Sequence, residues 1–319
     1  MTRTRLGIGL AVILAAVGLV LILQQERRLQ ERALCMGTVM ESRFQVPVRR
    51  GNGEKFFRTV RSAYAEVETI ADLHRPDSEL SRLNATAADK PFKCSPLLWE
   101  MLMESRRAWR LSAGAFDISV KPLMDLWGFY RRCQLPPNPD EIEACRQRCG
   151  LAKVRFNDDE HTVFFTFPGM ALDLGGIAKG FALDLAAKRL NELGESPDGI
   201  LDLGGNLLLL GQRSYRIGIK DPACPKQLAE TLELTGPLAV ASSGDYERFV
   251  VLAGKKYGHI VDPDTGCPAV CPWAATVWCR RAVDSDWLST TLFLRGDNAE
   301  LLKSLRCELP EMNFKIIPK

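Results

Sequence analysis

The chain is poor in histidine, with three in 319 residues, at His74, His161 and His259. Few positions are therefore available for a base that titrates near neutral pH. A charge excess is missing too, since 42 Lys and Arg against 39 Asp and Glu leave a formal charge of +3. No long basic block occurs beyond the arginines that flank an N-terminal apolar run, so nucleic acid is not an expected partner. What is present, 46% hydrophobic and 25% charged residues, is enough to bury one large core or two modest ones and argues against disorder.

Cysteine, by contrast, is plentiful, with ten residues. An even count suits disulfides in an oxidising compartment such as the periplasm or cell exterior. Cys145 and Cys149 stand four apart in an expected short helix near Cys133, and Cys267 and Cys271 share a Pro-containing loop. Neither pair has a histidine nearby and C-x-x-x-C is not zinc-knuckle spacing, so disulfides or idle thiols are expected there rather than a metal.

Leu6 to Leu23 is an uncharged run of 18 residues, roughly 27 Å of helix at about 1.5 Å per residue, which can span a bilayer. Arg3 and Arg5 precede it, and Gln24 to Arg28 follow with no small-residue cleavage site. Cys35 follows Leu34, not the small residue a lipidated cysteine needs. An uncleaved anchor is therefore expected over a signal peptide or lipoprotein, while arginines at both ends nearly cancel the positive-inside bias. Residues 1–24 read as the anchor, 25–35 as a stalk and 36–319 as the globular domain.

Within that domain, Met36 to Met40 opens as a strand. Lys55 to Leu73 spaces Phe56, Phe57, Val60, Tyr64, Val67 and Ile70 by threes and fours, the pattern of an amphipathic helix. A second helix starts with Ser95 as N-cap and Pro96 in its first turn, and stops at Gly114. Gly114 to Asp117 therefore leaves a helix end as a loop, where function tends to sit. After a surface excursion over Arg131 to Gly150, strands are expected at Thr162–Phe167, Ala171–Leu174, Gly199–Leu203 and Leu207–Leu210, with a helix over Ile177–Leu193. Arg248–Leu252 and Tyr257–Val261 read as a hairpin. Strands and helices that do not alternate regularly favour α+β over a doubly wound sheet.

Four segments carry chemistry. Leu172 to Gly180, with Gly175-Gly176 between an expected strand and a helix, offers backbone N–H groups at a helix N-terminus that suit a diphosphate, and Lys179 adds charge. The same glycines also serve as a plain tight turn, and the segment is not the G-x-G-x-x-G fingerprint, so a Rossmann assignment is excluded. A second Leu-Asp-Leu-Gly-Gly unit, Leu201 to Gly205 before Asn206, forms either a facing wall of the same site or another turn. Asp286 and Thr290, four apart, share one helix face and form either a seat for a hard cation such as Mg²⁺ or a surface contact. His259, just before a turn at Pro263 to Gly266, is a candidate general base or a structural histidine. His74 and His161 have weaker claims.

Taken together, these segments resemble the ApbE family, the FAD:protein FMN transferases, from about Met36 nearly to the end of the chain. Met36-Gly37-Thr38, Asp77 to Asn84, Gly114 to Asp117 with Leu126 to Phe129, Leu172 to Gly180, Leu203 to Asn206, Ser243 to Arg248, His259 to Gly266 and Asp286 to Thr290 stand in family order. The resemblance implies an ApbE-like α+β fold, a mixed or antiparallel sheet core with flanking helices, preceded here by one N-terminal transmembrane helix. It implies an FAD pocket lined by Met36, Ala115, Phe116, Asp117, Asp173, Lys179 and Ile260. Mg²⁺ would be held by Asp286, Thr290 and the Gly176 carbonyl, with His259 activating the acceptor hydroxyl.

FMN would pass from FAD to a Ser or Thr hydroxyl of another protein, with AMP leaving. The alternatives are an FAD pyrophosphatase and a non-catalytic flavin carrier. Expected partners are proteins bearing D-x-x-[ST]-G-A-[ST], such as membrane electron-transfer subunits; the chain contains no such motif itself. The expected location is the bacterial inner membrane, single-pass, with the catalytic domain in the periplasm. His74 stands where many members have Trp or Tyr, and the cysteine-rich stretches depart from the family pattern.

Overall fold

The computed structural model describes residues 26–47, 53–131, 133–194 and 197–319. The expected span over residues 6–23 lies outside them, and among the described residues no helix is long and apolar enough to cross a membrane. Strands β1 (Glu26–Cys35) and β2 (Thr38–Pro47) pair antiparallel, with Cys35 opposite Thr38. Helices α1 (Glu54–Ala71) and α2 (Glu79–Thr86), strand β3 (Phe92–Lys93) and helix α3 (Pro96–Leu111) follow. The chain continues through α4 (Lys121–Leu126), α5 (Pro139–Arg146), β4 (Val154–Asn157), β5 (Thr162–Phe165) and α6 (Ala178–Glu192). Next come β6 (Asp198–Leu203), β7 (Asn206–Leu210), the hairpin β8 (Ser214–Lys220) and β9 (Leu228–Thr235), then β10 (Leu238–Ser243). The last part holds the hairpin β11 (Phe249–Leu252) and β12 (Lys255–Gly258), then β13 (Trp273–Cys279), α7 (Ala282–Arg295), α8 (Ala299–Glu308) and β14 (Asn313–Pro318).

Seven strands form one antiparallel sheet in the order β1-β2-β6-β7-β10-β13-β14, so the expected α+β class with an antiparallel core holds. The period of two along β10 places its side chains on both faces: Ala239 packs in the main core, while Val240 meets Leu209, Tyr215 and Ile217 of the hairpin side. The main core lies under α1, α6 and α7. Helix α7 is buried almost all round, including Asp284, Ser285, Asp286 and Ser289, so these polar groups must find partners inside the protein. The expected caps hold: Ser95 Oγ accepts from Leu98 N–H, and Pro96 opens α3.

Two expectations change. Residues 25–35, read as a stalk, are largely the edge strand β1. Leu29, Glu31, Ala33 and Cys35 are half-buried and alternate with exposed neighbours. Glu31 occupies an inward position by pairing with Arg61, so a charge interrupts the apolar alternation. Ala171–Leu174 is extended but not a strand, because Leu172 exchanges its two backbone bonds with the Asn84 side chain (2.7 and 2.9 Å) instead of a neighbouring strand. Of the two outcomes expected for the cysteine pairs, disulfides or idle thiols, the structure has the thiols, all ten cysteines being free.

Candidate active site

At one end of the sheet, where the β1–β2 turn, the Ala115–Asp117 turn, the glycine turn before α6 and the start of the β11–β12 hairpin converge, lies a cavity of about 1100 Å³. Drug-sized ligands occupy roughly 300–1,000 Å³, so this space is of dinucleotide scale. Met36, Ala115, Phe116, Asp117, Asp173, Gly176, Lys179, His259, Ile260 and Thr290 all line it. Asp286 does not; it is buried just beneath the wall and accepts from Gly180 N–H at 2.9 Å.

Gly180 makes that approach possible. A Cβ there would collide with the Ala282 carbonyl and come within 2.7 Å of Val283 Cα, so only glycine lets α6 and α7 cross this closely. The crossing seats the Asp286 carboxylate at the N-terminal turn of α6. Burial holds its carboxyl above the usual range, against the pull of Lys179, the Gly180 N–H and the Asn206 side chain. Thr290, one turn along α7, lies 3.4 Å from Ser243 Oγ.

The glycine turn is pinned. Asp173 Oδ1 accepts from Gly175 N–H at 2.8 Å and Oδ2 accepts from Tyr130 Oη at 2.7 Å. The Gly175 N–H, expected to be free for phosphate, is thus already committed to shaping the turn. Gly176 passes beneath the Phe116 ring, which an added Cβ would meet at 2.9 Å. The second glycine pair is the β6–β7 hairpin turn, with Gly204 and Gly205 at φ 63° and 92°, and it does form a wall: Gly204 lines the cavity, and Asn206 Oδ1 accepts from Lys179 Nζ at 3.5 Å.

Asp117 is a structural acid at the cavity wall. Its carboxylate accepts from Ser119 N–H (2.7 Å), Ser119 Oγ (2.5 Å) and Leu151 N–H (2.9 Å). Met36 takes a left-handed conformation, φ 52°, and donates its N–H to Glu68 Oε1 at 2.8 Å. His259 follows β12 and donates its N–H to the Arg248 carbonyl at 3.0 Å. Its Nδ1 is buried without a hydrogen-bond partner. Desolvation, then Arg248 and Lys179, push its pKa down to about 4, so the ring is neutral at neutral pH. His161 stacks on Trp99, with ring centroids 4.9 Å apart, away from the cavity, whereas His74 lines the cavity beside Tyr130 at 5.5 Å.

Sequence reasoning singled out neither Tyr130 nor Lys220, and took Arg248 only as part of a motif. Tyr130 stands at the centre of the wall: Lys121 Nζ lies 4.5 Å and the Arg248 guanidinium 5.4 Å from its ring, within cation–π range. The signal available in sequence was weak, a Tyr next to Leu126 to Phe129 with cations distant in the chain. Lys179, Lys220 and Arg248 give the cavity the positive side a diphosphate needs.

An antiparallel α+β fold bearing a cavity of dinucleotide scale, with a cationic wall beside a buried acid and a neutral histidine, has the size and charge that a large phosphate-bearing ligand requires. Residues 36–311 match the model of the ApbE family, and the chain belongs to that family. It is 30% identical over 259 residues to the FAD:protein FMN transferase of Haemophilus influenzae, covering 78% of this chain and 75% of that one. It is 32% identical over 249 residues to the FAD:protein FMN transferase of Treponema pallidum, covering 72% and 68%. The fold matches the ApbE protein from Thermotoga maritima with a TM-score of 0.82 at 28% identity, covering 92% of this chain and 94% of that one. It matches the flavin transferase ApbE from Vibrio cholerae at 0.79 and 26% identity, with the same coverage.

Proposed function

We propose that this chain is an FAD:protein FMN transferase, moving the FMN moiety of FAD onto a Ser or Thr hydroxyl of an acceptor protein in a Mg²⁺-dependent reaction. The observation that carries this reading is the Gly180 crossing, which sets the buried Asp286 and the cavity-facing Thr290 beside the glycine turn in a cavity that His259 also lines.

The donor set fits Mg²⁺. Asp286 is a buried carboxylate with a single hydrogen bond to backbone, a charge that a hard cation would compensate. One carboxylate, the Thr290 hydroxyl and the Gly176 carbonyl leave several positions for water and phosphate oxygens, the usual Mg²⁺ arrangement. Bound there, the ion would offset charge building on the diphosphate. Lys179, Lys220 and Arg248 attract and orient that diphosphate. Phe116, packed on the glycine turn, keeps water from its underside. The acceptor hydroxyl oxygen bonds to the FMN phosphorus, the phosphoanhydride P–O bond breaks, and AMP leaves with the electron pair. With a proton on Nδ1, the other nitrogen of His259, Nε2, takes the hydroxyl proton.

A diphosphate in the cavity offsets the cations that depress His259, raising its basicity when substrate is bound. If water replaced the hydroxyl the chain would be an FAD pyrophosphatase, and a flavin carrier would need neither Asp286 nor His259. Purified protein with FAD, Mg²⁺ and an acceptor bearing D-x-x-[ST]-G-A-[ST] should yield an acceptor heavier by FMN minus water, and chelation should stop the reaction. FMN release that ignores the acceptor would favour the pyrophosphatase.

The same reading extends to location. The uncharged run Leu6 to Leu23 would anchor the chain in the bacterial inner membrane as a single pass, with the catalytic domain in the periplasm and membrane electron-transfer subunits as acceptors. Supporting it is the chemistry of that run. Fractionation with protease protection of intact spheroplasts tests it, the domain being digested from outside.

A further inference from the structure

Beside the cavity lies a second, smaller core in which Cys145 and Cys149 pack with Leu123, Met124, Trp127 and Phe129. Helix α5 ends at Arg146 and tightens into a turn: Arg148 N–H donates to the Cys145 carbonyl and Cys149 N–H to the Arg146 carbonyl, both at 2.9 Å. The Cys149 thiol folds back over this turn, with Sγ 3.6 Å from the Cys145 carbonyl oxygen. The two thiols lie within hydrogen-bonding reach of each other across this turn, so closing them to a cystine asks for a shift of these side chains and their turn rather than of the fold. The chain leaving Cys149 is the strap that holds the cavity wall. Gly150 N–H donates to Ser119 Oγ at 2.6 Å and Leu151 N–H to Asp117 Oδ2 at 2.9 Å.

We propose that Cys145 and Cys149 are a vicinal redox pair, closed to a disulfide by a disulfide-bearing oxidant, and that closure stiffens the strap behind the Asp117 turn and so tightens the flavin cavity. The Cys145 thiolate attacks a sulfur of the oxidant and expels one of its thiolates. Cys149, deprotonated, then attacks the Cys145 sulfur in the mixed disulfide and expels the second. Two electrons pass to the oxidant, and the two thiol protons end on its sulfurs. The local chemistry supports that order of attack: hydrogen bonding from Cys149 holds the Cys145 thiol below its usual pKa, while that bond and burial push Cys149 up. Neither thiol has a role in the proposed FMN transfer; disulfide closure is independent of that reading, and only its effect on FAD binding rests on it.

Trypsin separates the two sulfurs, since it cuts after Arg146 and Arg148 and leaves Cys133–Arg146 and Cys149–Lys153 as distinct peptides. Full-length protein is incubated with oxidised glutathione, alkylated under denaturing conditions and digested. The expected product is the two peptides joined and two hydrogens lighter than their sum, present in wild type and in Cys133→Ser and absent from Cys145→Ser. Complete alkylation of both thiols, or a link that survives Cys145→Ser through Cys133, overturns the proposal. The functional half is read by FAD binding: a thiol reductant should weaken it about fivefold in wild type, a modest coupling between sites, and leave Cys149→Ser unchanged. Equal binding by oxidised and reduced wild type would remove the link to the cavity.

Discussion

Two aspartates sit at the cavity with nearly the same burial, Asp117 8% and Asp286 5% exposed, and they are placed to do opposite things. Asp117 has donors on both oxygens, from Ser119 and Leu151; its charge is spent on holding a turn. Asp286 has one backbone donor, from Gly180, in a helix–helix crossing, and the Asn206 side chain beside it, against three donors at Asp117. Burial of a carboxylate alone therefore does not mark a functional acid. What separates the two is how many donors the fold supplies, because a carboxylate with unfilled acceptor capacity in a dry site remains available to a cation.

The largest effect should come from the less satisfied of the two. Asp286→Asn keeps an acceptor for Gly180 N–H, so it should lower transfer about 10²–10³-fold, the usual loss of a charge-stabilising group, while thermal unfolding shifts little. Transfer at near wild-type rate would erase the contrast between the acids. His259→Ala should cost about 10²-fold at neutral pH. In wild type the depressed pKa sets the pH window. Its ring must be unprotonated to act, so kcat/KM should stay flat down the acid side and fall only as pH drops through about 4, rather than through roughly 6.5 as for an ordinary histidine.

Asp117→Ala should act on the fold. It leaves Leu151 N–H and the Ser119 donors without their acceptor, a loss of about 2–4 kcal/mol by the cost of orphaned buried groups, seen as a lower unfolding midpoint. A variant as stable as wild type but inactive would assign Asp117 a direct role and break the comparison from the other side. The smallest effect belongs to Tyr130→Phe. It removes one hydrogen bond to the Asp173 carboxylate, about 1.5–3 kcal/mol, and should weaken FAD binding a few-fold while leaving the Asp286 variant's defect unchanged.

Much of this is legible in the ordered motifs of the chain. Apolar spacing locates α1, Ser95 and Pro96 locate the start of α3, and ten of eleven named site residues meet at one cavity. The strand at 26–35 escapes because Glu31 holds an inward place only through Arg61, a residue distant in sequence. Tyr130 escapes because its partners Asp173, Lys121 and Arg248 converge only in the folded state.

Local rules act through neighbours three, four or two residues away, and the chain alone therefore determined helices α1, α3 and α6, strands β2, β5, β6 and β7, the β11–β12 hairpin and the set of residues carrying chemistry. Which aspartate is saturated and which is open was decided by the tertiary structure. That choice depends on α6 and α7 crossing at Gly180 and on the strap from Cys149 reaching the Asp117 turn, contacts between segments about a hundred and about thirty residues apart that no local pattern encodes.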